Sequence, residues 1–259
     1  MNRIFSCAIL CAVIFAACKK EAAKPADIVI NKTRLSETTN SNTTITLWSD
    51  NEGLLTGYNK LYVSLKNNQG DEIKNATVAY TSMMDMISMK HSSPAEQPVY
   101  NDELKLYEGA VVFTMPTSEM GTWQLDVTVN GATVSFPLTI GTAPQKQLAT
   151  FVGTDKNKYV LAIIPPLKWQ VGLNDLDILI NRQASMTDFP ADDGFTVELT
   201  PEMPSMGHGS PNNINPVSTG SGHYKGKVNY TMTGDWRLHF KLKKNDVVIM
   251  EDASVDILF

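Results

Sequence analysis

Cysteine is missing from almost the whole chain. The 259 residues contain three, Cys7, Cys11 and Cys18, all within the first eighteen positions. The remaining chain therefore has no intrachain disulfide and no thiolate metal centre. Type 1 copper electron transfer needs such a thiolate, and covalent haem needs Cys-x-x-Cys-His, so both are excluded. Basic runs are lacking too: 22 Lys+Arg stand against 27 Asp+Glu, a formal charge of −5. That balance disfavours nucleic-acid binding. The sequence offers no convincing amphipathic helix, no phosphate-cradling glycine loop, no nucleophile–histidine arrangement and no carboxylate pair at repeated positions. It points away from an enzyme.

Long apolar runs are equally scarce. The one at Ile4 to Phe15 comes after Arg3 and falls well short of the roughly 20 residues that cross a bilayer. It reads as the h-region of a signal peptide. Ala16-Ala17-Cys18 comes directly after it, and small residues before a cysteine are similar to a bacterial lipobox. Residues 1–17 are expected to be removed and Cys18 to carry a diacylglycerol. Losing Arg3 takes Lys+Arg from 22 to 21 against 27 acids, a net charge of −6. Residues 18–42, rich in Lys, Ala, Asn, Ser and Thr, read as a flexible tether. The expected location is the bacterial cell envelope, periplasmic or outer-membrane-associated, with the membrane as partner through the lipid on Cys18.

Beyond residue 42 the chain is strand-like. Trp123 to Val129 alternates apolar and polar residues, and Asn130-Gly131 is a two-residue hairpin signal before the run from Ala132 to Ile140. Such half-buried antiparallel strands argue for an all-β chain of β-sandwiches. The second half repeats the first. Met86-Ile-Ser-Met-Lys-His-Ser-Ser-Pro94 and Met203-Pro-Ser-Met-Gly-His-Gly-Ser-Pro211 share an offset of 117, and eleven of the thirty positions from 86 to 115 are identical. Gly57, Asn59 and Leu61 match Gly172, Asn174 and Leu176. Gly121 and Trp123 match Gly234 and Trp236. The pattern is that of a tandem duplication, with sandwich domains expected at 43–143 and 144–259.

Both copies retain two thioethers and an imidazole within six residues. The candidate metal ligands are Met203, Met206 and His208 in the second copy, and Met86, Met89 and His91 in the first. Met232 and Met115, at strand ends with the same offset, are candidate further ligands. Neutral sulfur with one imidazole and no carboxylate suits copper, above all Cu(I), and suits Zn²⁺, Ca²⁺ or Mg²⁺ poorly. Pro204 and Gly207 bend the second loop, and the first lacks both. The second copy is therefore expected to be the tighter site. Of the other two histidines, His239 is expected on the solvent face, and His223 is an accessory ligand at most. The alternative is a metal-free interaction module for a protein or glycan, its methionines filling an irregular core.

The second copy also resembles a known family. Glu202-Met-Pro-Ser-Met-Gly-His208, Gly222-His-Tyr224, Met232 and Gly234-Asp-Trp236 are similar to the FixH-like or YtkA-like domain over residues 160–245, and the first copy is similar more loosely. The resemblance implies immunoglobulin-like β-sandwiches outside the cytoplasmic membrane and, for some members, copper supply to haem-copper oxidases. The expected function is copper buffering or delivery, with a copper-donating or copper-accepting envelope protein as partner.

Overall fold

The computed structural model describes residues 31–164 and 168–259. The signal peptide and Cys18 lie outside the described residues. Strands in the first half are β1 (Thr33–Asn40), β2 (Thr43–Ser49), β3 (Leu54–Leu55), β4 (Gly57–Lys66), β5 (Val78–Met86), β6 (Met89–His91), β7 (Ala95–Asn101), β8 (Leu106–Phe113), β9 (Thr122–Val129), β10 (Ala132–Leu138) and β11 (Ile140–Gly141). Those in the second are β12 (Leu148–Val152), β13 (Lys158–Ile164), β14 (Gly172–Gln183), β15 (Thr196–Met203), β16 (His208–Gly209), β17 (Ile214–Gly220), β18 (His223–Tyr230), β19 (Asp235–Lys244) and β20 (Val247–Leu258). Among the described residues, no helix is long and apolar enough to cross a membrane.

Each half is a sandwich of a five-stranded and a four-stranded sheet. The orders are β1-β2-β4-β8-β7 and β10-β9-β5-β6 in the first, β12-β13-β14-β18-β17 and β16-β15-β19-β20 in the second. The inward residues of each pair of sheets make one core, around Trp123, Phe113 and Phe136 in one half and Trp236, Tyr224 and Phe240 in the other. The chain is thus all-β, two tandem immunoglobulin-like sandwiches. Asn130-Gly131 forms the expected hairpin with positive φ at both residues (49° and 87°), the conformation such a turn requires.

The tether expectation is corrected at its end. Residues 33–40 form β1, paired antiparallel to β2 from Thr33↔Ser49 to Asn40↔Thr43, so the first sandwich begins ten residues earlier than position 43. An edge strand with one solvated face carries few apolar residues, and only Leu35 of β1 packs on the core. Its Thr- and Ser-rich composition is therefore hard to tell from a linker.

Residues shared by the two copies have definite jobs. Tyr107 accepts from the Ala76 N–H (2.8 Å) and donates to Ile73 O (3.1 Å), while Tyr224 accepts from the Phe195 N–H (3.0 Å) and donates to Asp192 O (2.7 Å). Each ties a strand to an upstream loop, the role a tyrosine corner plays in immunoglobulin-like domains. Gly109 and Gly226 lie beneath a bulged edge strand; a Cβ there would come within 2.7 Å of Glu96 O and 2.5 Å of Ile214 O. Asn59 and Asn174 clamp the turn before their strands, each donating to two backbone carbonyls at 2.7 and 2.8 Å.

The outer faces of the five-stranded sheets also meet. Val112 of β8 packs with Val160 and Ala162 of β13 and Leu179 of β14, flanked by Tyr58 and Phe189. Strands buried on both faces read as continuous apolar runs. That is why 110–113 and 159–164 show no alternation.

Candidate metal centre

The duplicated motif forms a β-hairpin at one end of each sandwich. In the second half, β15 turns through Pro204 to Gly207 into β16, pairing Met203 with His208. The turn is closed by Met206 N–H and Gly207 N–H donating to Met203 O at 3.1 and 2.8 Å. Gly207 has φ +64°, a conformation that suits glycine. In the first half, β5 pairs with β6 from Met84↔His91 to Met86↔Met89.

These pairings correct one expected equivalence. Met84 lies opposite both His91 and Trp123, as Met203 lies opposite His208. Met84, and not Met86, is the counterpart of Met203, because the first hairpin is two residues longer. A Cβ on Gly121 would come within 2.4 Å of Met84 Cε, and one on Gly234 within 2.3 Å of Met203 Cε. The repeated glycine makes room for the repeated methionine methyl. Met84 and Met203 are 2% and 5% exposed and belong to the cores. Within the expected set of Met203, Met206 and His208, Met203 lies in the core and Met206 is 60% exposed. Met86 packs part-buried against the first core.

The motif histidines each lie against a buried tryptophan. His208 meets the Trp236 ring edge-on at 5.8 Å, and His91 meets Trp123 at 5.7 Å. The Trp236 indole N–H donates to Met232 O (3.0 Å) and that of Trp123 to Met115 O (2.9 Å). Histidine and strand-end methionine therefore flank one indole in both copies, at the same end of the sandwich as the hairpin. Met206 (60% exposed) and Met89 (51%) lie on the hairpins, Met232 is 37% exposed, and Met115 packs part-buried on the first core. Each imidazole uses Nδ1 on the next residue's carbonyl, His208 on Gly209 O and His91 on Ser92 O, both at 2.9 Å. A carbonyl only accepts, so Nδ1 carries a proton, and in the neutral ring the lone pair is then on Nε2, one of the two nitrogens through which imidazole ligates metals.

Among the described residues, no group of three or more His, Cys, Asp or Glu side chains is gathered for a metal ion. Thioether sulfur lies outside that chemistry. One imidazole with neutral sulfurs fits a soft monovalent cation and not a hard divalent one.

The other histidines have partners elsewhere. His239 lies on the outer face of its sheet between Glu202 (3.0 Å) and Asp252 (2.9 Å). His223 stands at the junction of the two sandwiches, with Nδ1 on Asp177 (3.1 Å) and Nε2 on Glu96 (2.5 Å). Both ring nitrogens are thus engaged by carboxylates. Hydrogen bonds to Asp177 and then to Glu96 outweigh desolvation and raise its pKa from 6.5 to about 9. Residue chemistry alone does not disclose this clasp, because Leu106 occupies the matching position of the first copy.

These features define tandem immunoglobulin-like sandwiches with a Met/His cluster at one end of each. No family model matches the chain, and no curated protein matches it. Solved structures resembling it include the Escherichia coli adhesin FdeC (10% identity, TM-score 0.28, covering 86% of this chain and 66% of that one) and the bacterial integrin-binding protein invasin (13%, 0.28, 83% and 40%). A conserved domain protein from Bacillus anthracis is another (14%, 0.28, 87% and 90%).

Proposed function

We propose that this chain is a lipid-anchored protein of the bacterial envelope that binds Cu(I) through two Met/His clusters and buffers copper or hands it to a partner. The observation that carries the reading is the cluster built twice. A histidine held through Nδ1 stands beside an indole, and that indole's N–H holds the backbone of a neighbouring methionine. In the second copy Met206, His208 and Met232 are the donors. Met203 acts from beneath, as core packing that fixes the hairpin. The resemblance to the FixH-like or YtkA-like domain supports the same reading, and it involves no catalysis. Bound copper would supply a soft, exchangeable cation, and the exposed hairpin methionines offer a route for transfer to a second envelope protein.

Titration with Cu(I) against a chelator tests it. Met206→Leu with Met232→Leu is expected to weaken the second site by at least roughly tenfold, since even supporting residues cost about 10–100-fold. Met203→Leu is expected to leave affinity intact at a stability cost under about 1.5 kcal/mol, the volume being nearly conserved. Unchanged affinity at the second site in the double variant would remove that cluster as a copper site, and a parent that binds no Cu(I), or in which Zn²⁺ competes on equal terms, would sink the copper reading. The burial of Met84 and Met203 then favours the other reading, a metal-free module for a protein or glycan partner.

Anchoring has its own test. Cys18→Ala is expected to shift the protein from the membrane to the soluble fraction or to leave its leader uncleaved. Identical size and fractionation in that variant would exclude the lipid anchor.

A further inference from the structure

The two clusters do not have the same surroundings. A cavity of about 630 Å³ opens beside the first, lined on one side by Met89, His91 and Met115 and on the other by Tyr159, Gln183 and Met186 of the second sandwich. Met186 comes after β14 in the loop leading to β15. It lies outside the duplicated motif and its thioether is a third neutral sulfur on this cavity. Ser92 fixes both sides. Its N–H donates to Met186 O at 2.8 Å, and its own carbonyl accepts from His91 Nδ1 at 2.9 Å. One residue thus sets the imidazole tautomer and ties down the loop that carries the extra sulfur. Gln183 Nε2 also lies 3.9 Å from Met186 Sδ, a weak contact that a competing soft cation would displace.

We propose that Met186 is a ligand of the first copper site, which spans the two sandwiches and has the donor set Met89, Met115, Met186 and His91. This rests on the copper reading above and goes beyond it. The first site depends on the second sandwich, and it is the tighter of the two. Residue types in the loops favour the opposite ranking, through Pro204 and Gly207. A fourth donor outweighs loop shape, because each added soft neutral ligand stabilises Cu(I) directly. Met89 and Met186 of the first site are 51% and 43% exposed, and Met206 and Met232 of the second 60% and 37%, so donor number and not burial separates the two.

The test uses the mature chain in a background where Met206→Leu, His208→Ala and Met232→Leu silence the second cluster. The background is expected to bind one Cu(I). Adding Met186→Leu is expected to weaken that binding by at least roughly tenfold and to reduce the sulfur count in X-ray absorption from three to two. If the background binds Cu(I) but Met186→Leu changes neither affinity nor sulfur count, the Met186 assignment is wrong and the copper reading stands. If the background binds no Cu(I) while the parent does, the first site itself is refuted. If the parent binds none, the copper reading has failed. A second measurement avoids substitution at the site. In the parent labelled at its methionine methyls, one equivalent of the redox-inert analogue Ag(I) is expected to shift the Met186, Met89 and Met115 signals together. A Met186 signal that stays put while the other two move would overturn the assignment.

Discussion

Trp236→Ala is expected to lower the unfolding free energy of the second sandwich by about 3–5 kcal/mol, the range for truncating a buried aromatic to alanine. Trp236 is 1% exposed and lies in ring contact with Tyr230 at 5.3 Å and His208 at 5.8 Å. It pairs with Ile257 on the edge strand β20, so its removal leaves a cavity bounded by both sheets. Ladder hydrogen bonds resist closing that space, and the cost should lie towards the upper end. The indole N–H also donates to Met232 O. Losing it frees the strand end from the histidine, so Cu(I) affinity at this cluster should fall even in molecules that remain folded. Trp236→Phe separates the two effects. It keeps an aromatic ring against His208 but leaves Met232 O without its donor, at about 1–2 kcal/mol. Urea unfolding tracked by far-UV circular dichroism measures the first effect and Cu(I) competition the second. A loss below about 1 kcal/mol for Trp236→Ala would mean that Trp236 does not anchor this core. Trp123→Ala is the matched experiment in the first half.

The tryptophans are legible in the sequence because their environment is local and periodic. Trp123 begins an alternating strand closed by an Asn-Gly hairpin, and its partner recurs in the second copy. Duplication likewise draws attention to the Met/His hairpins. Other features are concealed for physical reasons. A two-residue insertion preserves strand parity, so the longer first hairpin leaves every apolar position on its expected face while changing which methionine opposes Trp123. In the sequence, Met86 therefore stands where Met84 belongs. Strand β1 is hidden by its composition, since a polar edge strand bonds through its backbone. Met186 and Glu96 cannot be read at all. Each acts across the junction between the sandwiches, and neither belongs to a pattern that both copies share. Repeats disclose what each domain needs for itself; contacts between domains leave no periodic trace.

Raising the pH from 6 to 10 is expected to loosen the junction of the sandwiches through His223. The ring lies between Asp177 of β14 and Glu96 of β7. Carboxylates accept and do not donate, so both ring nitrogens carry protons and the imidazole is cationic. Around it, Tyr58 of β4 donates to the other Glu96 oxygen (2.5 Å), and Lys225 of β18 lies 3.6 Å from Asp177. Lys60 of β4 and Glu108 of β8 form the next pair outward at 2.7 Å. The His223 pKa is raised from 6.5 to about 9. A value raised in the folded state contributes stability that is complete below the unfolded value and is lost as pH climbs through the folded one. The His223 contribution is therefore full below about 6.5 and gone above about pH 9. Glu96 behaves oppositely. Although burial raises its pKa, hydrogen bonds from His223 and Tyr58 bring it below 4.5, so its share is lost only in acid. The clasp is thus firmest from weakly acidic to neutral pH. The displacement corresponds to about 3 kcal/mol at most, and partial solvent access reduces it to about 1–2 kcal/mol. Proton NMR of the imidazole should give a midpoint near 9, and hydrogen exchange at 58, 112 and 179 should quicken across the same range. His223→Gln keeps hydrogen-bonding capacity without the charge. It should abolish the pH dependence at these positions while leaving each sandwich folded. A midpoint near the ordinary histidine value of about 6.5, or exchange that rises identically in His223→Gln, would show that the junction is held by its apolar contacts alone.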